Sequence, residues 1–323
     1  MKFGISYAPA HHGTDARHLL TYARLAEEHG FESLYLPEHI VLYPGAAVGP
    51  MPLPAATPYF DPLDALSFVA AATDRILLGT AVLLLPYHHP VLLAKRLATL
   101  DVLSGGRMRL LTVGLGSLPG QARSMDVDFA SRGRRADEAI DALRLLWEGG
   151  EDGVDFDGEF FRFERLSSFP KPLDARHLPI HVGGSTRAAA RRAGRRGDGY
   201  FPGGALGPDE RATQLELARE AAREAGRDPG ALEYPLGFDR PVRGTGRGAR
   251  GGGRHPRGRQ REHRRAGALA RGTRGLRPAL RAPPVARSAR RRVITRGARR
   301  SRPYHRCRLA TGSEPVRSPC PAR

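Results

Sequence analysis

Cysteine is absent from the first 306 positions of this 323-residue chain, which contains only Cys307 and Cys320. That absence excludes a disulfide framework or a cysteine-ligated metal centre over most of the chain, and it fits a reducing cytoplasm. Long apolar stretches are missing too, because the longest, ILLGTAVLLLP, is about half the length of a membrane-spanning helix. The start, MKFGISYA, lacks the pattern of a signal peptide. We therefore expect a soluble cytoplasmic protein with no membrane partner.

Lysine is missing from residues 235–323, although this segment carries 26 arginines and only three acidic residues. Residues 1–234 are slightly acidic, with 26 Lys and Arg against 30 Asp and Glu. A basic arm that contacts phosphates usually mixes Lys with Arg, since both cations release counterions. Arg, Gly, Pro and Ala without Lys are what GC-rich DNA gives in a wrong reading frame.

We therefore predict a frameshift directly after Tyr234 and a disordered Arg-rich tail over residues 235–323. The alternatives are a tail that binds nucleic acid without sequence preference, and an inactive remnant whose barrel cannot close. The nucleotide sequence across codons 230–245 decides whether a frameshift is present.

Strand-like and helix-like stretches alternate through residues 1–234. Seven apolar runs occur, and each except the last is followed by an amphipathic stretch: KFGISY, SLYLPEH, RILLGTAVLLL, MRLLTVGLG, LPIHVGG, DGYFP and ALEYP. This alternation indicates a parallel α/β sheet. Because no Rossmann glycine fingerprint follows the first strand, it favours a (β/α)8 TIM barrel whose last β/α unit is missing. An excursion, VDFDGEFFRFE, predicts a β-hairpin that turns at Asp157-Gly158.

Four segments resemble the bacterial luciferase-like superfamily: LYLPEHI; GTAVLLLPYHHPVLLAKRLATLDVLSGGR; VGLG ahead of RGRRADEAIDALRLLW; and LPIHVGGSTRAAARRAGRRGDGYFP. They are most similar to oxidoreductases that use the deazaflavin coenzyme F420, and the resemblance covers almost all of residues 1–234. It implies hydride transfer between F420 and a small organic substrate. The alternative that it leaves open is an FMN-dependent monooxygenase, and a homodimer is expected by analogy with relatives.

The candidate catalytic pair is Glu38-His39, which directly follows the second strand. Active sites of parallel barrels lie at the carboxyl ends of the strands, and an imidazole there can exchange a proton with a substrate. The alternative is that these two residues lie in a loop and only form hydrogen bonds with the backbone. The resemblance favours the functional interpretation, with His39 as acid/base and Glu38 near the cofactor ring.

Candidate ring-binding residues lie at the ends of the third and fourth strands. In the family, a bulge on the third strand, often with a non-prolyl cis peptide, supports one face of the ring, and Ala81 and Val82 match it. The alternative is that the side chains of Ala81 and Val82 are ordinary parts of the barrel core. Gly114 and Gly116, in VGLGS, would let backbone approach the ring closely. Ser117 stands where some F420-dependent relatives carry Glu, which argues against a sugar-phosphate dehydrogenase.

A candidate phosphate site follows the fifth strand, at VGGST. Free backbone N–H groups at a helix start bind phosphate, so Gly183, Gly184, Ser185 and Thr186 are assigned to the cofactor tail. Asp198 in GDGY is assigned with them, although a Gly-Gly turn is usually only a turn. No metal site is predicted, because the histidines of YHHP have no third ligand at suitable spacing. These two histidines, 88 and 89, are expected to cap the next helix or to face solvent.

Overall fold

A computed structural model describes residues 3–174, 178–203 and 206–234 of the chain. The predicted frameshift and the predicted properties of residues 235–323 lie outside the described residues.

Helices and strands alternate along the described residues. The strands are β1 (Gly4–Ser6), β2 (Ser33–Leu36), β3 (Ala47–Val48), β4 (Met51–Pro52), β5 (Leu77–Leu84), β6 (Met108–Gly114), β7 (Val154–Asp157), β8 (Arg162–Leu166), β9 (Ile180–Gly183) and β10 (Gly199–Phe201). The helices are α1 (Pro9–His12), α2 (Ala16–Glu28), α3 (Pro62–Ala70), α4 (Pro90–Leu103), α5 (Pro119–Ser124), α6 (Arg132–Glu148), α7 (Arg187–Arg196) and α8 (Pro208–Glu224). Short 3₁₀ turns occupy Leu85–Tyr87 and Pro229–Ala231.

Six strands form one parallel sheet in the order β1-β2-β5-β6-β9-β10. They correspond to the first six apolar runs in the sequence, so the predicted α/β architecture with a parallel, barrel-type sheet is confirmed. The excursion forms the antiparallel ribbon β7–β8, as its turn residues predicted. A second, very small ribbon, β3–β4, lies in the loop after β2.

The seventh run contributes a single bridge rather than a strand. Glu233 pairs in parallel with Gly199 on β10, and its backbone also bonds to Asp198 and Tyr200. Its side chain is largely exposed, and its Oε2 lies 2.9 Å from Nε2 of the fully buried His181 on β9. Side-chain and backbone contacts together hold this last described segment.

The apolar face of α6 shows why the helices lie on the sheet as they do. Ile140, Leu143, Leu146 and Trp147 recur at helical spacing, and all four are buried. Burying a side chain of this size stabilises the fold by about 2 kcal/mol. The indole Nε1 of Trp147 donates a hydrogen bond to the carbonyl oxygen of Ala94 on α4, at 3.2 Å, which joins two neighbouring outer helices.

Helices α7 and α8 approach each other unusually closely at Gly194. A Cβ at this position would lie only 2.0 Å from the carbonyl oxygen of Ala218 and 2.8 Å from the backbone nitrogen of Ala222. Alanines also line the facing surface of α8. Small residues on both helices therefore set the distance between them.

Candidate active site

The predicted site residues of four different strands meet at one edge of the sheet. His39 follows β2, Val82 lies near the end of β5, and Gly114 and Gly183 close β6 and β9. The register pairs Leu84 of β5 with Gly114, so these strand ends are level with one another. The carboxyl edge of the sheet thus brings together the core of the predicted site.

His39 lies half-buried at this edge, with the ring of Tyr59 edge-on at 4.8 Å between centroids. Burial lowers the pKa of His39 below its ordinary value, while the Gln121 side chain and the Glu38 charge act in the opposite direction. The net lowering of this pKa favours the neutral imidazole. A neutral imidazole can accept a proton from a substrate hydroxyl or, once charged, return it.

Glu38 is buried and engaged within the protein. One carboxylate oxygen accepts a hydrogen bond from the backbone N–H of Leu84 at 2.6 Å, and the ring of His88 bonds to the same carboxylate at 3.0 Å. The placement of Glu38 near the cofactor ring stays a prediction. Its carboxylate ties the loop after β2 to the end of β5, and it acts on His39 through its charge.

His88 and His89 have different roles in the structure. His89 caps α4, since its ring nitrogen accepts from the backbone N–H of Val91, as the sequence predicted. His88 neither caps the helix nor faces solvent, because its ring is largely buried against Glu38. The described residues contain no group of three or more His, Cys, Asp or Glu that could hold a metal ion.

Ala81 and Val82 form a half-buried platform within an otherwise buried part of β5. The peptide bond between them is cis, and the pairing register with β6 shifts here, as the resemblance implied. The side chain of Val82 lies between two glycines: a Cβ on Gly114 would come within 2.6 Å of it, and one on Gly183 within 2.8 Å. The two glycines therefore make room for Val82 at the mouth of the sheet.

Gly116 is required by the protein's own packing. It has a φ of +74°, and a Cβ there would lie 2.5 Å from the hydroxyl of Tyr87. Its carbonyl oxygen accepts a hydrogen bond from Arg132 at 3.3 Å. Packing explains this glycine without a ligand, so its contact with a cofactor ring stays a prediction.

The start of α7 presents backbone donors at the same edge. Gly184 is already used, because its N–H bonds to Phe201 and its carbonyl oxygen accepts from the Tyr200 hydroxyl. The Thr186 hydroxyl caps the helix by accepting from Ala189. Residues 185–188 are exposed, and within the described ranges no acceptor contacts their N–H groups. Donors at the positive end of a ten-residue helix favour an anion.

Asp198 does not belong to this site. It immediately precedes β10, and its carboxylate accepts from the backbone N–H of Ile180, at the start of β9. It also binds Arg144 at 2.7 Å and Arg227 at 3.3 Å. These contacts lie at the amino edge of the sheet, opposite the mouth. The assignment of Asp198 to cofactor binding is therefore corrected, and the residue is structural.

We expect Asp198→Ala to destabilise the protein by about 2 kcal/mol, because two guanidinium groups and one backbone N–H lose their acceptor. Cofactor affinity should stay within about twofold of the parent, since the change lies at the far edge of the sheet. Urea denaturation and cofactor titration measure the two effects. Asp152→Ala, at an exposed position, is the control. A large loss of affinity without loss of stability would contradict the correction.

A concavity of about 480 Å³ also lies at the amino edge, beside Glu27, Phe31 and Ile76. Parallel barrels place their chemistry at the carboxyl edge, so this volume is not the active site.

Within the described ranges no helix is long and apolar enough to cross a membrane.

A parallel α/β sheet with a histidine and conformationally special residues at its carboxyl edge has them where parallel barrels place their active sites. The chain belongs to the luciferase-like monooxygenase family, whose model matches residues 1–243. It is thus a member of an enzyme family, as the sequence motifs predicted.

Relatives within the family include both dehydrogenases and monooxygenases. An uncharacterized protein of Mycobacterium tuberculosis is 34% identical over 229 residues, which cover 69% of this chain and 76% of that protein. An F420-dependent glucose-6-phosphate dehydrogenase of Nakamurella multipartita is 33% identical over 216 residues, 65% of this chain and 59% of that protein. The crystal structure of monooxygenase RslO1 from Streptomyces bottropensis is 31% identical with a TM-score of 0.58, covering 72% of this chain and 70% of that chain.

Proposed function

We propose that the protein is an oxidoreductase that transfers hydride between coenzyme F420 and a small organic substrate, with His39 as the acid/base group. The observation that carries the proposal is the position of His39 at the same sheet edge as the Ala81–Val82 platform. A monooxygenase that uses FMN is the second candidate, and the likeness to monooxygenase RslO1 supports it.

The residues at the mouth fit a flat ring carrying a phosphate-bearing side chain. Ala81 and Val82 remain half-exposed between buried neighbours, so they offer an apolar surface for one ring face. Exposed N–H groups at residues 185–188 offer donors for a phosphate. When bound, the ring would supply the hydride acceptor or donor. Of the residues predicted to bind the cofactor, Ala81, Val82, Gly114, Gly116, Gly183, Gly184, Ser185 and Thr186 stay in the proposal.

His39 would handle the proton that accompanies the hydride. Oxidation of an alcohol releases a proton from the hydroxyl, and a neutral imidazole can take it up. Reduction of a carbonyl needs the reverse transfer. The F420-dependent relative from Nakamurella multipartita supports F420 as the first choice of coenzyme. Ser117 is exposed in the loop after β6, and its hydroxyl cannot act as a second acid/base group as a carboxylate would.

Titration of the full chain with F420 and with FMN, followed by absorbance and fluorescence, tests this proposal. We expect micromolar or tighter binding of F420, and Ser185→Asp should weaken it about tenfold, because a carboxylate would repel the phosphate from the helix start. The matched control is Ser185→Asn, which has nearly the same shape without the charge. Binding of FMN alone would select the second candidate, and binding of neither ring would refute both.

The homodimer and the nucleic-acid alternative stay predictions. The basic segment needed for nucleic-acid binding lies outside the described residues.

A further inference from the structure

Two hydrogen bonds fasten the loop after His39 to α5. The side-chain Nε2 of Gln121 donates to the carbonyl oxygen of Val41 at 3.0 Å, and the backbone N–H of Gly120 donates to the Tyr43 hydroxyl at 3.1 Å. Gln121 itself is fully buried. The segment that carries His39 is thereby held in a fixed relation to α5.

The bond to Val41 decides the orientation of the Gln121 amide. A carbonyl oxygen accepts only from the NH₂ group, so the Oε1 atom must lie on the other side of the amide. Oε1 can only accept a hydrogen bond, and within the described residues it has no hydrogen-bond partner although it is buried. The Nδ1 atom of His39 is in the same condition.

These two atoms complement each other chemically. The two atoms are not hydrogen-bonded to each other in the structure, but they belong to neighbouring groups: the Gln121 amide binds the carbonyl oxygen of Val41, two residues after His39. The Gln121 side chain also raises the pKa of the His39 ring, against the effect of burial. Buried polar atoms in folded proteins are nearly always paired. An Nδ1–H group donating to Oε1 would satisfy both atoms at once.

We propose that Gln121 is a positioning residue for His39: its Oε1 accepts a hydrogen bond from Nδ1–H and fixes the tautomer in which Nε2 is free to exchange the catalytic proton. The inference rests on the acid/base role of His39 proposed above. It adds a residue from a different β/α unit, which holds the imidazole in one protonation pattern.

The other groups next to His39 do not act as the acceptor for its Nδ1–H. Glu38 is directed to Leu84 and His88 by its own hydrogen bonds. Tyr59 meets the imidazole edge-on, through its ring. The neighbouring charge of Glu38 raises the pKa of His39, as Gln121 does, and it is the same in all the variants below.

Two substitutions separate positioning from folding. Gln121→Leu removes the acceptor, whereas Gln121→Glu replaces it with a charged one, and both lose the bond to Val41. Leucine should lower the pKa of His39 and glutamate should raise it, because an acceptor favours the protonated ring. The pH profile of turnover should move with these changes: its His39-dependent limb shifts to lower pH in the first variant and to higher pH in the second. Arg123→Gln, on the same helix, is the control.

The measurement that needs no substrate is NMR of ¹⁵N-histidine-labelled full chain, with His39→Asn to assign the resonance. We expect the neutral ring to carry its proton on Nδ1 in the parent and to be a mixture of tautomers in Gln121→Leu. We expect turnover of Gln121→Leu to fall about tenfold at the optimum, a fraction of what the acid/base group itself contributes.

A parent protein with its proton on Nε2 would overturn the inference, even if Gln121→Leu fails to fold. So would pKa values of His39 that move in the same direction in both variants. If His39→Asn keeps full turnover while the parent shows the Nδ1–H tautomer, the proposed function fails and the pairing with Gln121 stands.

Discussion

His39→Asn should lower turnover by about 10²- to 10⁴-fold, because general acid–base catalysis contributes that much when the transferring group is removed. Asparagine keeps a similar size and polarity but has no group that titrates near neutral pH. Cofactor affinity should change by less than about threefold, since the proposed platform and phosphate donors lie on other strands. The loss should therefore appear in kcat rather than in cofactor binding.

The measurement uses full chain with whichever ring it binds and a panel of small alcohols and ketones, followed by the absorbance of the ring. His29→Asn, an exposed histidine at the end of α2, is the control and should keep full turnover. Retention of turnover within a few-fold in His39→Asn would remove His39 from the chemistry and leave the family assignment intact.

Gly194→Ala should destabilise the protein by about 3 kcal/mol, the upper part of the range for overpacked interiors. Alanine favours a helix over glycine by about 1 kcal/mol, so helix propensity alone predicts the opposite sign. Steric overlap outweighs the gain in helix propensity, because the new methyl group would lie 2.0 Å from the Ala218 carbonyl oxygen. That atom is backbone and moves only if α7 and α8 separate.

Chemical denaturation of Gly194→Ala and of a matched variant, Gly150→Ala, measures this effect. Gly150 has open space where a Cβ would lie, so its substitution should change the free energy of unfolding by less than about 0.5 kcal/mol. An unchanged or increased stability of Gly194→Ala would show that the two helices pack less tightly than described here.

The parallel sheet could be predicted because its signals are local. Strands such as RILLGTAVLLL are apolar on both faces, and each is followed by a helix with one apolar stripe, which only a covered parallel sheet accommodates. ALEYP gave the same signal but forms one bridge at Glu233. Its predicted outer neighbour begins where the Arg-rich segment begins, outside the described residues.

The site could be predicted only in part. His39, Val82, Gly114 and Gly183 lie at or near the carboxyl ends of their strands, and the ends of parallel strands share one edge. Asp198 was misassigned because it precedes its strand, which places it at the opposite edge. The contacts of Gln121 with Val41 and of His88 with Glu38 join residues 80 and 50 positions apart, and no spacing rule in the sequence encodes them.

The hydrogen bond between the Glu233 carboxylate and the buried His181 ring limits how far the chain can be shortened. A version that stops before position 233 would strip the imidazole of its acceptor and the tenth strand of its neighbouring backbone in one cut. A version that keeps Glu233 retains both. The shortest fragment suitable for labelling or crystallisation therefore includes Glu233. A replacement for the last β/α unit is best joined after this residue.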